Sequence, residues 1–202
     1  MFIHTRRLFL ILAAFAAVSL ATPALAWEPQ EQIATYAVSG SSGAELYDEI
    51  GRKGPVIGDG RRTVAHTTFK LTWRRDYQPR KDGSCVLASA IPRLIITYTL
   101  PEAKGALSPA LKASWQKFRD GLLTHEKVHG THIVEMVQMI RAMSVGLKAA
   151  DDPGCQKVRA KLQGHLKELS DEQRARGRAF DREEMGQGGN IQRLILALIQ
   201  GP

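Results

Sequence analysis

The chain has 202 residues, with 28 Lys and Arg against 20 Asp and Glu, a formal net charge of +8. The basic residues are scattered, in small groups at Arg61-Arg62, Arg74-Arg75 and Arg174 to Arg178, and no aromatic residues interleave with them. That pattern argues against a nucleic-acid partner and for a solvated basic face with weak attraction to anionic envelope components.

The first 26 residues read as a secretory signal peptide. Arg6 and Arg7 form a charged start, Leu8 to Leu20 an apolar core, and Ala24-Leu25-Ala26 a cleavage site of the A-x-A kind. The apolar run is short for a membrane span and ends in small residues and Pro23. No cysteine follows the cleavage site, which argues against a lipid anchor. Residues 27–202 are therefore expected to form a single domain, periplasmic or secreted, with no stable membrane insertion after cleavage.

Glu31 to Ser39 has the β-branched and aromatic content of a short strand. Gly40-Ser41-Ser42-Gly43 breaks it and offers a serine cap for a helix over Ala44 to Arg52, which Gly54-Pro55 stops; Gly58-Asp59-Gly60 continues the loop. From Arg62 to Tyr77 the pattern has period two, with Ala65, Thr67, Phe69, Leu71 and Trp73 on one face, as in a half-buried strand. Gln78 to Ser84 is a turn, and Cys85 to Leu100 a second long strand in which Pro92 marks a bulge or an edge position. These two strands make an antiparallel hairpin, to which the first strand adds a third.

After Pro101 the chain turns helical. Ser108-Pro109 is a cap followed by a first-turn proline, and Trp115 to Lys148 reads as one long helix ended by Asp151-Asp152-Pro153-Gly154. Cys155 to about Arg182 is a second, charged helix. Gly186 to Asn190 is a break, and Ile191 to Ile199 a short apolar helix or strand. The expected fold class is α+β: a small antiparallel sheet of about three strands followed by two long packed helices.

The first long helix carries His125-Glu126-Lys127-Val128-His129, an H-E-x-x-H motif. Residues four apart lie one turn apart on one face, so both imidazoles can share one metal ion. At 100° per residue His125, His129 and His132 fall with Phe118, Leu122, Met136, Ile140 and Leu147, opposite Lys117, Asp120, Lys127, Thr131, Glu135 and Gln138. Imidazoles on an apolar face need partners, either backbone carbonyls or a metal. One Zn2+ per chain suits them, with Glu126 as the base for a water. Cys85 and Cys155, the two cysteines, pair most simply as a disulfide in an exported chain. The closed loop of about 70 residues brackets the histidine helix and contributes on the order of 4 kcal/mol. A zinc site built on the cysteines would need the close C-x-x-C spacing they lack.

Taken together, these residues resemble a bacterial family described as predicted secreted zinc-dependent proteases, otherwise a domain of unknown function. The likeness runs through Tyr36-Ala37-Val38-Ser39-Gly40, Glu45-Leu46, Gly54-Pro55, Trp73, Cys85, Tyr98-Thr99-Leu100-Pro101, Trp115 and the His125 to His129 motif. The resemblance implies a zinc peptidase. Family members commonly carry Y-D-x-x-T-x-H-G near the C-terminus, whose histidine is a natural third ligand. Here that run is Phe180-Asp181-Arg182-Glu183-Glu184-Met185-Gly186-Gln187, with Asp181 retained, Glu184 at the threonine position and Gly186 at the histidine position.

Three residues compete as third ligand. His132 is about 10.5 Å along an unbroken helix from His125, too far to share a tetrahedral ion unless the helix bends at Gly130. Asp181 comes from the second long helix, and a carboxylate from a separate element is a known ligand pattern, set against an ordinary helix-end salt bridge. Glu184 is the third choice, if the following loop folds it back. His66 and His165 are given no role. The reading is an exported zinc-dependent metallopeptidase acting on a peptide or protein substrate in the cell envelope, with metal ligands His125, His129 and Asp181 and catalytic Glu126. The alternative is a non-catalytic envelope module that keeps or has lost its metal, motivated by the absent C-terminal histidine. A third possibility, a basic adaptor for anionic envelope material, has only the diffuse charge behind it.

Overall fold

The computed structural model describes residues 27–58 and 60–201; the expected signal peptide lies outside the described residues, as do Asp59 and Pro202. The elements follow in the order β1 (Gln30–Val38), α1 (Gly43–Lys53), β2 (His66–Pro79), β3 (Cys85–Ala103), α2 (Pro109–Ser144), β4 (Lys148–Ala149), α3 (Gln156–Met185) and α4 (Asn190–Gln200). Their boundaries have local causes. Ser42 Oγ accepts from the Glu45 N–H while the Glu45 carboxylate accepts from the Ser41 N–H, which starts α1. Ser108 Oγ accepts from the Leu111 N–H and Pro109 takes the first turn of α2. The apolar tail after the glycine-rich break is a helix.

The sheet is α+β in character, mixed rather than purely antiparallel. β2 and β3 form the expected antiparallel hairpin, but β1 lies on the other side of β3 and runs parallel to it, Gln30 facing Ile95 and Val38 facing Ala103. The crossover of α1 and β2 between them supplies the length that a parallel connection needs. β4 pairs with Cys85 and Val86 at the start of β3. Pro92 sits opposite Trp73 where β1 has not yet begun pairing and β4 has ended, so β3 is locally an edge there; the register shift falls instead between Asp76 and Tyr77. On β2, Thr67, Leu71 and Trp73 are half-buried as the alternation requires, whereas Phe69 is exposed.

The 36-residue α2 runs unbroken through Gly130. It ends at Ser144, short of the expected Lys148. Gly146 has φ +87° and the next residues leave the helix to pair with β3, taking Leu147 off the helical face. The core divides into three regions, two of them along α2. The first half of α2 packs with α1, α4 and the end of β3 through Leu46, Ile50, Leu100, Trp115, Phe118, Leu122, Ile191 and Leu198. Its second half lies on the middle of β3, where Leu94, Ile96 and Tyr98 meet Ile133, Met136, Val137 and Ile140. The third region, Leu87, Ala149, Val158 and Leu162, surrounds a Cys85–Cys155 disulfide with Cα atoms 5.2 Å apart, which joins the start of α3 to the start of β3. The helices cover one face of the hairpin; Lys70, Thr72, Arg74, Ile91 and Arg93 line the exposed other face. Among the described residues no helix is long and apolar enough to cross a membrane.

Candidate metal centre

The face of α2 that carries the histidines is inward, as its periodicity requires: Phe118, Leu122, His125, Met136 and Ile140 are buried. α3 packs along this face, and its final turns bring Asp181 to the two imidazoles. His125 Nε2 and His129 Nε2 are 3.2 Å apart, and Asp181 Oδ1 lies 3.2 Å from the first and 2.9 Å from the second. Two atoms each about 2.0–2.1 Å from one ion at the tetrahedral angle stand about 3.3 Å apart. The three contacts are therefore close to three edges of a four-coordinate metal tetrahedron, and the fourth corner belongs to none of these residues. Two imidazole nitrogens and a carboxylate oxygen are also the donor set such an ion prefers. This His125, His129 and Asp181 group can hold a metal ion.

The electrostatics of the cluster follow from the same contacts. Burial alone would raise the Asp181 pKa, but hydrogen bonds from His125 and His129 and their charge outweigh it and hold the carboxyl well below its usual range. Burial would lower the pKa of His129, but the Asp181 hydrogen bond and the charges of Asp181 and Glu126 outweigh it and raise it. Each imidazole nitrogen facing the cluster offers either a proton or a lone pair. With Nε2 facing Nε2 and both facing one carboxylate oxygen, a shared cation would satisfy all three atoms at once.

Glu126, one residue further round the helix, is turned towards the sheet. It is 4% exposed, and Thr67 Oγ1 on β2 lies 2.5 Å from its Oε2 and 3.1 Å from its backbone oxygen. Beside it, Gly130 leaves room for Tyr98 of β3: a Cβ there would stand 2.2 Å from the Tyr98 hydroxyl. That hydroxyl donates to Glu31 Oε1 at 2.8 Å, and burial, then Glu31 and Glu126, push its pKa up. Gly130 thus serves close approach of helix and sheet, and α2 continues as helix through it.

Three residues lie beyond the reach of the sequence reading. Thr67 fell within the β2 alternation, where a polar residue at an inward position was the sole signal. Phe180 stacks on His125 with ring centroids 4.7 Å apart and meets His129 edge-on at 5.5 Å. Gly177, one turn earlier on α3, faces His129, with an ideal Cβ 3.5 Å from its Nδ1. Of the competing ligands, His132 stands apart: its ring is 6.4 Å from that of His129, its Nδ1 is buried without a hydrogen-bond partner among the described residues, and burial, then Arg176 and His129, lower its pKa. Glu184 lies near His125 but at Nδ1, the nitrogen facing away from the cluster, at 3.7 Å. His165 pairs with Glu168 on the surface of α3, and His66 opens β2 opposite Thr99.

Fold and site together define an α+β domain whose two long helices bring a His-His-Asp cluster beside a buried glutamate. The chain belongs to the family described as bacterial protein of unknown function (DUF922), whose model matches residues 33–189 and so spans every residue of the cluster. No curated protein and no solved structure matches the chain.

Proposed function

We propose that the protein is an exported zinc-dependent peptidase in which His125, His129 and Asp181 hold one zinc ion and Glu126 is the general base. The observation that carries this reading is the convergence, within 3.2 Å, of two imidazole nitrogens from one helix and a carboxylate oxygen from another. Zinc held there would polarise a peptide carbonyl and make a water acidic near neutral pH. Glu126 would take the proton from that water and deliver it to the leaving amine. Thr67 would hold the Glu126 carboxylate in one orientation, and Phe180, stacked on His125, would exclude water from the inner side of the cluster. Asp181, with its side chain 45% exposed, lies at the solvent side of the cluster, where a substrate would enter. The Cys85–Cys155 disulfide supports an oxidising compartment, in keeping with the expected export to the periplasm or the medium. The substrate is then a peptide or protein of the cell envelope.

A second reading, a non-catalytic envelope module with a structural metal, has one observation in its favour: Glu126 is almost wholly buried and already bonded to Thr67, as a structural carboxylate would be.

The deciding experiment is the metal content of the exported, purified protein, with His129→Ala and Asp181→Ala beside it, followed by peptide hydrolysis with Glu126→Gln as control. The peptidase reading expects about one zinc per chain, lost in both ligand variants, and hydrolysis abolished by Glu126→Gln with zinc retained. A folded wild-type protein without zinc would sink it. Zinc without hydrolysis of any peptide library would leave the structural-metal reading.

A further inference from the structure

The His125 imidazole has two nitrogens with different surroundings. Nε2 faces the cluster, 3.2 Å from both His129 Nε2 and Asp181 Oδ1. Nδ1 is buried and has no hydrogen-bond partner among the described residues. An imidazole that gives its Nε2 lone pair to a metal carries its hydrogen on Nδ1, and a buried N–H without an acceptor is costly. The charged group within reach is Glu184, whose Oε2 is 3.7 Å from Nδ1 and whose side chain is only 20% exposed. Glu184 is three residues after Asp181 in the last turn of α3, so both carboxylates project from the same end of the helix. Phe180, the residue before Asp181, and Asp181 itself also meet the His125 ring: the phenyl ring lies against its face, nearly parallel at 19°, and the Asp181 carboxylate against its edge. The end of α3 thus contacts the ring at its face, at Nε2 and near Nδ1.

We infer that Glu184 is a positioning residue for the metal site: its carboxylate accepts the Nδ1–H of His125, fixing which nitrogen faces the metal and how the ring is turned. This rests on the zinc reading above and deepens it. It also separates the roles of the two α3 carboxylates, which the sequence leaves as rivals for one ligand position. The two nitrogens of an imidazole point away from each other, so a carboxylate at Nδ1 cannot share an ion with Nε2 of the same ring. Asp181 is the ligand and Glu184 orients. The closure required is small, from 3.7 Å to a hydrogen bond of about 2.7–2.9 Å, and a rotation of the Glu184 side chain supplies it. A carboxylate on the far nitrogen also raises the basicity of the ligating one, so removing it weakens metal affinity by 10–100-fold, an order-of-magnitude expectation for such partners.

The test measures zinc affinity of the metal-stripped full mature protein by competition with a chromophoric chelator. It compares wild type, Glu184→Ala, Glu184→Gln, Asp181→Ala and, as a surface control in the same turn, Glu183→Gln. The expected result is one zinc per chain in wild type and in both Glu184 variants. Affinity should fall about 10–100-fold in Glu184→Ala and less in Glu184→Gln, which keeps an acceptor oxygen. Melting of the metal-free protein should not change. In nitrogen-detected NMR of the zinc-loaded protein, the His125 Nδ1–H should be slow to exchange in wild type and exchange-broadened in Glu184→Ala. Zinc bound by wild type, with Glu184→Ala affinity within threefold of it, would overturn the inference and leave the zinc reading standing. Loss of stoichiometric binding in Glu184→Ala, equal to that in Asp181→Ala, would make Glu184 a ligand and overturn it as well. Wild-type protein that binds no zinc would remove both.

Discussion

Replacing both Cys85 and Cys155 by alanine should cost stability without touching the metal site. The bridge spans 70 residues of sequence, and the chain-entropy relation for a loop of that length gives about 4 kcal/mol at 25 °C from the unfolded state alone. For a domain of this size that corresponds to a melting temperature lower by about 8–16 °C. The native geometry around the bridge has its own supports. Leu87, Ala149, Val158 and Leu162 remain packed there, and backbone bonds from Leu87 to Leu147, Gly146 to Leu87 and Asp152 to Gly83 tie the same segments at 2.7–2.9 Å. Asp181 lies at the far end of α3, about 39 Å of helix from Cys155. The variant should therefore fold, bind zinc as tightly as wild type, and unfold at lower denaturant. Equilibrium unfolding in guanidinium with a chelator present measures this. The extrapolated free energy should drop by about 4 kcal/mol and the slope should steepen, because the unfolded chain is freed to expose more surface. A loss below about 1 kcal/mol would refute the argument by showing that the unfolded chain already holds these segments together. A parallel loss of zinc affinity would refute the separation of bridge and site.

Thr67→Val keeps the shape of the side chain and removes the hydroxyl that holds the Glu126 carboxylate, leaving a buried acceptor unpaired. Denaturant unfolding should show a loss of about 1.5–3 kcal/mol, with Thr67→Ser close to wild type; equal stability of the valine and serine variants would refute it. Asp152 caps α3 from the preceding turn, its Oδ2 accepting from the Val158 N–H at 3.0 Å. Burial opposes ionisation, but backbone bonds from Val158, Lys157 and Gln156 outweigh it and lower the Asp152 pKa in the folded state. A depressed carboxylate stabilises the fold above its unfolded pKa of about 3.9, and that contribution fades as pH falls through the folded value. Asp152→Asn should therefore melt below wild type at neutral pH, the gap closing in acid. A gap that persists or widens on acidification would show the sign to be wrong.

Much of the candidate site was legible because its signals are local. His125, Glu126 and His129 are fixed on one helix by a four-residue spacing, and the inward direction of that face follows from its apolar neighbours. The caps at Ser42 and Ser108 and the β2–β3 hairpin likewise depend on residues close in sequence. Even the pairing of Cys85 with Cys155 needed only their number and the expectation of an exported chain. What the sequence left open involves contacts between distant segments. The side of β3 taken by β1, and its parallel direction, depend on where α1 and β2 carry the chain, and a nine-residue strand reads the same in either direction. The end of α2 at Ser144 was set by the pairing of Lys148 and Ala149 with β3.

The choice among Asp181, Glu184 and His132 shows the division most clearly. By itself the sequence determined that two histidines one turn apart face the core, because helical periodicity acts over a few residues. Only the tertiary structure decided that α3 lies along that face with Asp181 at Nε2, Glu184 near Nδ1 and Phe180 against the ring, while Thr67 reaches Glu126 from the sheet. The packing angle and register of two long helices come from the summed fit of many side chains across Leu162, Leu166, Leu169 and their neighbours. A shift of α3 by one residue would turn Asp181 through about 100° and away from the histidines.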